Sequence, residues 1–134
     1  MMEHVNTPQV LLFNMAADDR TKQIEAFLRQ RHIAVRHIQR VEFGQKLGYL
    51  LNMPDFTDAG CCFAPAFSDE MAVMAGFDAR QLNAFLDFFP QAGLRRIKWK
   101  AMLTPVNVSW DAITLFSHLR AERAGIEAAK RKKP

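Results

Sequence analysis

Two runs free of charged residues constrain this chain most: Val10-Leu11-Leu12-Phe13-Asn14-Met15 and Met71-Ala72-Val73-Met74-Ala75-Gly76-Phe77. Each is short, and apolar at both alternating positions, the signature of a strand covered on both faces. Each leads into an Asp placed to cap a helix, Asp18-Asp19 in the first case and Asp78 in the second. Over 19–31, Ile24, Phe27 and Leu28 recur at helical spacing, with Arg20, Lys22, Glu25 and Arg29 left for water. After the second run, Asp78 and Gln81 have capping-box spacing, and Leu82, Phe85, Leu86 and Phe89 form one stripe. Pro90 and Gly93 are read as its stop.

Two alternating segments follow these helices. Over 33–41, Ile33, Val35 and His37 share one side, so His37 reads as a hydrogen-bonded core histidine in an edge strand. Over 94–103, Ile97, Trp99, Ala101 and Leu103 oppose Arg96, Lys98, Lys100 and Met102. The chain is thus two strand-helix-strand units, 10–41 and 71–103, with Gln23-Ile24-Glu25-Ala26-Phe27-Leu28 resembling Gln81-Leu82-Asn83-Ala84-Phe85-Leu86. Between them, 42–69 is irregular, with a short helix near 45–51. A last helix spans about 110–129, its apolar arc made by Ala112, Ile113, Leu115, Phe116 and Leu119, and its final two turns are read as projecting into solvent.

This pattern predicts a single α/β domain, of the α+β kind, over 1–129, with a four-stranded sheet whose first and third strands are central. Two such units favour a ferredoxin-like order, 4-1-3-2, with the last helix over part of the second face. A small all-parallel three-layer sheet, using the middle helix as a crossover, is the alternative.

A formal charge of +4 and a pI near 9.4 suggest a basic protein, but Lys130, Arg131, Lys132 and Lys133 alone account for that charge. The remaining body is balanced, and 130–134 is read as a solvated basic tail whose attraction to nucleic acid would be non-specific. No apolar run is long enough to span a membrane. Met1 to Thr7 lacks a basic stretch followed by an apolar one, so a cytoplasmic location is expected. A glycine-rich phosphate loop, a Gly-x-Ser-x-Gly elbow, His-Glu-x-x-His and Cys-x-x-Cys are all missing, so no catalytic residue, metal site or cofactor is assigned. Cys61-Cys62, being adjacent, lacks zinc-ligand spacing and is read as a pair of thiols in or near the core.

Lys98-Trp99-Lys100-Ala101-Met102-Leu103-Thr104-Pro105-Val106-Asn107-Val108-Ser109-Trp110 is the most distinctive stretch. It resembles the Lys-Ala-x-x-Thr-x-x-Asn-x-x-Trp pattern of a family of small bacterial proteins known as domain of unknown function 3783, over roughly 70–122. The resemblance implies no reaction; it directs attention to this segment. There a strand end meets a helix start, a favoured position for an anionic ligand. Asn107 or Ser109 is placed to cap the helix, Thr104 to bond the turn, and Trp110 to close the junction.

Two functional readings result. One is a non-catalytic interaction or regulatory module that self-associates as a homodimer through apolar surface including Phe88, which lies off its helix's buried stripe. The other is a domain binding a small anionic metabolite through Lys100, Thr104, Asn107, Ser109 and Trp110. RNA recognition by Arg96, Lys98 and Lys100 lacks the surface aromatics that stacking needs.

Overall fold

The two uncharged runs pair with each other. A computed structural model describes residues 7–60 and 67–132; His4, Cys61, Cys62 and Lys133 lie outside the described residues. Strand β1 (Gln9–Phe13) runs antiparallel to β3 (Met71–Ala75), with Leu11 opposite Val73. Val10 to Phe13 and Met71 to Ala75 are buried throughout, so both faces of the pair need cover. Helices α1 (Asp19–Gln30) and α3 (Ala79–Ala92) supply one cover, laying Ile24, Leu28, Phe85 and Phe89 against Val10, Leu12, Ala72 and Met74. The other face takes α2 (Leu47–Leu50), the connection carrying Phe43 and Phe67, and α4 (Ala112–Lys132) through Leu115 and Phe116. Phe67 stacks between Phe43 and Phe116 at ring separations of 4.9 and 4.3 Å.

Strands β2 (Ala34–Ile38) and β4 (Trp99–Met102) complete a four-stranded mixed sheet of order β2-β1-β3-β4. The central pair is as the apolar runs predict. The expected order 4-1-3-2 is corrected, as is the all-parallel alternative, which the antiparallel β1–β3 pairing excludes. Strand directions are nevertheless those of the ferredoxin-like arrangement, because β2 lies parallel to β1 and β4 parallel to β3. Only the sides taken by the edge strands differ. The split order needs a hairpin from β2 to β3, whereas the long connection here is spent building the second layer, with Leu47, Leu50, Leu51 and Met53 all buried. Nothing then holds β2 beside β3, and each unit closes on neighbouring strands.

The repeat is visible in backbone conformation. Asn14 and Gly76 each take positive φ just after a central strand, Asp18 and Asp78 each cap a helix, and His32 and Gly93 each take positive φ just after it. Ile24 and Leu28 occupy the roles of Phe85 and Phe89, so the six-residue likeness noted above is out of step by about one helical turn. That likeness reflects what an amphipathic helix requires, while the equivalence lies in the caps and turns.

Pro90 does not end α3, which runs to Ala92 and closes on a left-handed Gly93. Proline has no N–H for the carbonyl of Leu86, and Arg96 Nη1 donates to that oxygen instead at 3.2 Å. The strand expected over 94–103 is correspondingly shorter, beginning at Trp99.

A buried ion pair ties the halves together. Arg20, near the start of α1, donates Nη1 to Glu70 just before β3 and Nε to the carbonyl of Arg95, both at 2.8 Å. Removing one member strands a charge that is 8% exposed, so Glu70→Ala is expected to cost about 3 kcal/mol in denaturant unfolding. Glu42→Ala breaks the more exposed pair with Arg36 and is expected to cost less than about 1 kcal/mol.

Candidate functional site

The segment after β4 is a hydrogen-bonded turn centred on Asn107. Its Oδ1 accepts from Thr104 N–H at 2.8 Å, its Nδ2 donates to the carbonyl of Met102 at 3.0 Å, and its own N–H donates to Thr104 Oγ1 at 3.0 Å. Asn107 is buried, and a single 3-10 turn, Asn107–Ser109, carries the chain onward. The expectation that Asn107 or Ser109 caps the last helix is corrected. Asp111 is the cap, its Oδ1 accepting from Thr114 N–H at 2.7 Å, because the 3-10 turn delays the start of α4. Ser109 is exposed.

Trp110 therefore precedes α4 in extended conformation and does not lie on its first turn. Its carbonyl accepts from Leu47 N–H at 2.8 Å, while Ala112 N–H donates to the carbonyl of Phe43 at 3.2 Å. These bonds pin the start of α4 to the layer around α2. The indole, half-buried, stacks on His118 nearly two turns into α4, with centroids 4.1 Å apart and planes 14° from parallel.

From this anchor α4 runs back past the outer edge of β4, leaving a groove between them. One part, about 400 Å³, is lined by Lys100, Thr104, Asn107, Trp110, His118 and Glu122; another, about 450 Å³, by Lys98, Trp99, Lys100, Arg123, Ile126 and Lys130. They share Lys100, Leu119 and Glu122, so they adjoin each other along the groove. The structure thus brings Lys100, Thr104, Asn107 and Trp110 to one end of it; the geometry gives Asn107 a bonding role in the turn as well.

Sequence reading placed Lys100 on a wet strand face, whereas it is half-buried, with Nζ donating to the carbonyl of Ile97. Burial, with like charge from Arg96 and Arg123 added, holds its pKa below the ordinary lysine range. Among the described residues no carboxylate comes within ion-pairing distance of Lys98, Lys100, Arg96 or Arg123. Arg123 instead lies 4.5 Å over the Trp99 ring and Lys98 lies 4.9 Å from it. Arg123 was missed in the sequence because the apolar arc of α4 fades after Leu119. Ile126, two turns beyond Leu119, was the available signal that this face continues.

Phe88 packs in the seam between α1 and α3, half-buried, its ring 4.4 Å from that of Phe27. His37 is not a core residue: it is exposed on β2 and bonded to Glu25 of α1, beside a cavity of about 340 Å³ lined also by Met15, Asp18, Thr21 and Lys22. Alternation misled here because β2 is an edge strand whose exposure does not follow its pattern strictly. No cluster of three or more metal-ligating side chains occurs among the described residues.

If Asn107 fastens the turn, Asn107→Ala should lower unfolding free energy by about 2 kcal/mol, two lost side-chain bonds at roughly 1 kcal/mol each. Asp111→Ala should cost about 1 kcal/mol, and Ser109→Ala should stay within about 0.5 kcal/mol. Equal losses for Asn107→Ala and Ser109→Ala in urea titrations would refute this ranking.

No curated protein and no solved structure matches the chain. No helix among the described residues is long and apolar enough to cross a membrane. A family model described as a domain of unknown function, DUF3783, matches residues 70–125. The chain is similar to this family over that segment, which runs from just before β3 into α4.

Proposed function

We propose that this protein is a non-catalytic binding module whose working surface is the groove between β4 and α4, and that its ligand is anionic. One observation carries the reading. Lys100 is held half-buried near Arg96 and Arg123, with no carboxylate paired to any of them among the described residues. Such a cluster repels itself, and an anion entering the groove relieves that repulsion while gaining charge-assisted hydrogen bonds. Met102 and Thr104 are bonded by Asn107, so the wall of the site is rigid before a ligand arrives.

Self-association is a second reading, supported by the half-buried pair Phe27 and Phe88 in the seam between α1 and α3, with Arg31 lying 3.9 Å over Phe27. Sedimentation at tens of micromolar should then show a dimer that Phe88→Asp dissociates; a monomer would end it.

For the main reading, citrate titrated by calorimetry at low salt should bind the wild type, and Lys100→Met and Arg123→Gln should each weaken it roughly tenfold, the effect of one charge-assisted bond. Arg29→Gln, on the exposed face of α1, should leave it unchanged. Equal affinity in all four proteins would exclude the groove.

A further inference from the structure

We propose that the natural occupant of the groove is an extended acidic segment of another protein, added as a strand along the outer edge of β4. This rests on the anion-binding reading above and names its ligand.

The groove is long, and its cations gather in one part of it. It runs from Trp110, just before α4, to Lys130, and Lys98 and Lys100 on the β4 side line the same part of it as Arg123 and Lys130 of α4. Leu119 and Ile126 supply apolar contact between the charges, and Ile126 is 57% exposed.

The strand edge itself is open in the middle. The parallel register with β3, in which Leu103 N–H donates to the carbonyl of Met74, turns the backbone groups of Ala101 inward and those of Lys100 and Met102 outward. Asn107 takes the Met102 carbonyl. The Lys100 N–H and C=O and the Met102 N–H are left facing the groove, a short template for an added strand.

Charge selects the partner. A second copy would set Lys98, Lys100 and Arg123 against their own duplicates, because lysine on an edge strand discourages self-pairing. Single-stranded nucleic acid would want a free aromatic face, yet Trp99 is buried and Trp110 is stacked on His118. An acidic peptide, whose carboxylates alternate with small apolar side chains, meets the cations and the apolar floor together.

The test uses the full chain and a fluorescein-labelled peptide of alternating Glu and Val, the same peptide N-methylated at every residue, oligouridine of equal charge, and citrate. Fluorescence anisotropy should show the peptide binding, with roughly tenfold losses on N-methylation, on Lys100→Met and on Arg123→Gln. In NMR spectra the Lys100 amide should become protected from exchange on addition of the peptide. Equal binding of the N-methylated peptide, tighter binding of oligouridine, or no peptide binding up to about 1 mM would overturn strand addition. In each of those cases, citrate binding that depends on Lys100 preserves the anion-binding reading, and its absence removes that reading too.

Discussion

The β1–β3 pair, buried on both faces and hydrogen-bonded on both sides, is the constraint on which the remaining structure depends. An antiparallel pair can leave one face wet, but these residues permit no wet face. Two coats are therefore needed. The repeat supplies only one, since α1 and α3 lie on the same side. The second is assembled from whatever remains: the long connection after β2 and the helix after β4. That division of labour explains why β2 is not drawn to β3 and why α4 crosses the sheet where it does.

The position of α4 also creates the groove. Its start is fixed by the bonds from Leu47 to Trp110 and from Ala112 to Phe43, and by the Asn107 turn at the end of β4. Leu115 and Phe116 bury the first turns, after which the helix, about 31 Å long at 1.5 Å per residue, continues beyond the apolar layer. The exposed face left there is lined with Arg123, Ile126, Glu127 and Lys130. Crowding Lys100 near Arg96 and Arg123 is unfavourable in the free protein. That arrangement persists because the turn and the helix are held by other interactions, leaving the cations available to a ligand.

Much of this architecture is legible in the residues themselves. The charge-free runs identify the central strands, and Asp78 with Gln81 marks the start of α3 by a capping box that the structure shows. The strand order is not legible, because strand directions in the expected order 4-1-3-2 and in the observed order are the same and only a tertiary choice, hairpin against second layer, separates them. Pro90 reads as a stop because the sequence does not reveal that Arg96 will occupy the carbonyl Pro90 cannot serve. Asn107 reads as a cap because capping and turn-fastening use the same side chain, and the 3-10 turn decides between them. Within the groove, Lys100 and Trp110 are found from the β4 segment, while Arg123 comes from a helix whose apolar pattern has ended; pairing these requires knowing that α4 returns along β4.

The account rests on Lys100 standing among uncompensated cations, and the most direct measurement is its own titration, followed at the Cε carbon by NMR with and without citrate. Burial and the charges of Arg96 and Arg123 disfavour the ammonium form, so the free protein should titrate below the ordinary lysine value of 10.5, and bound citrate should raise the pKa back toward it. A Lys100 that titrates normally in the free protein, or one that citrate leaves unmoved, would contradict the account.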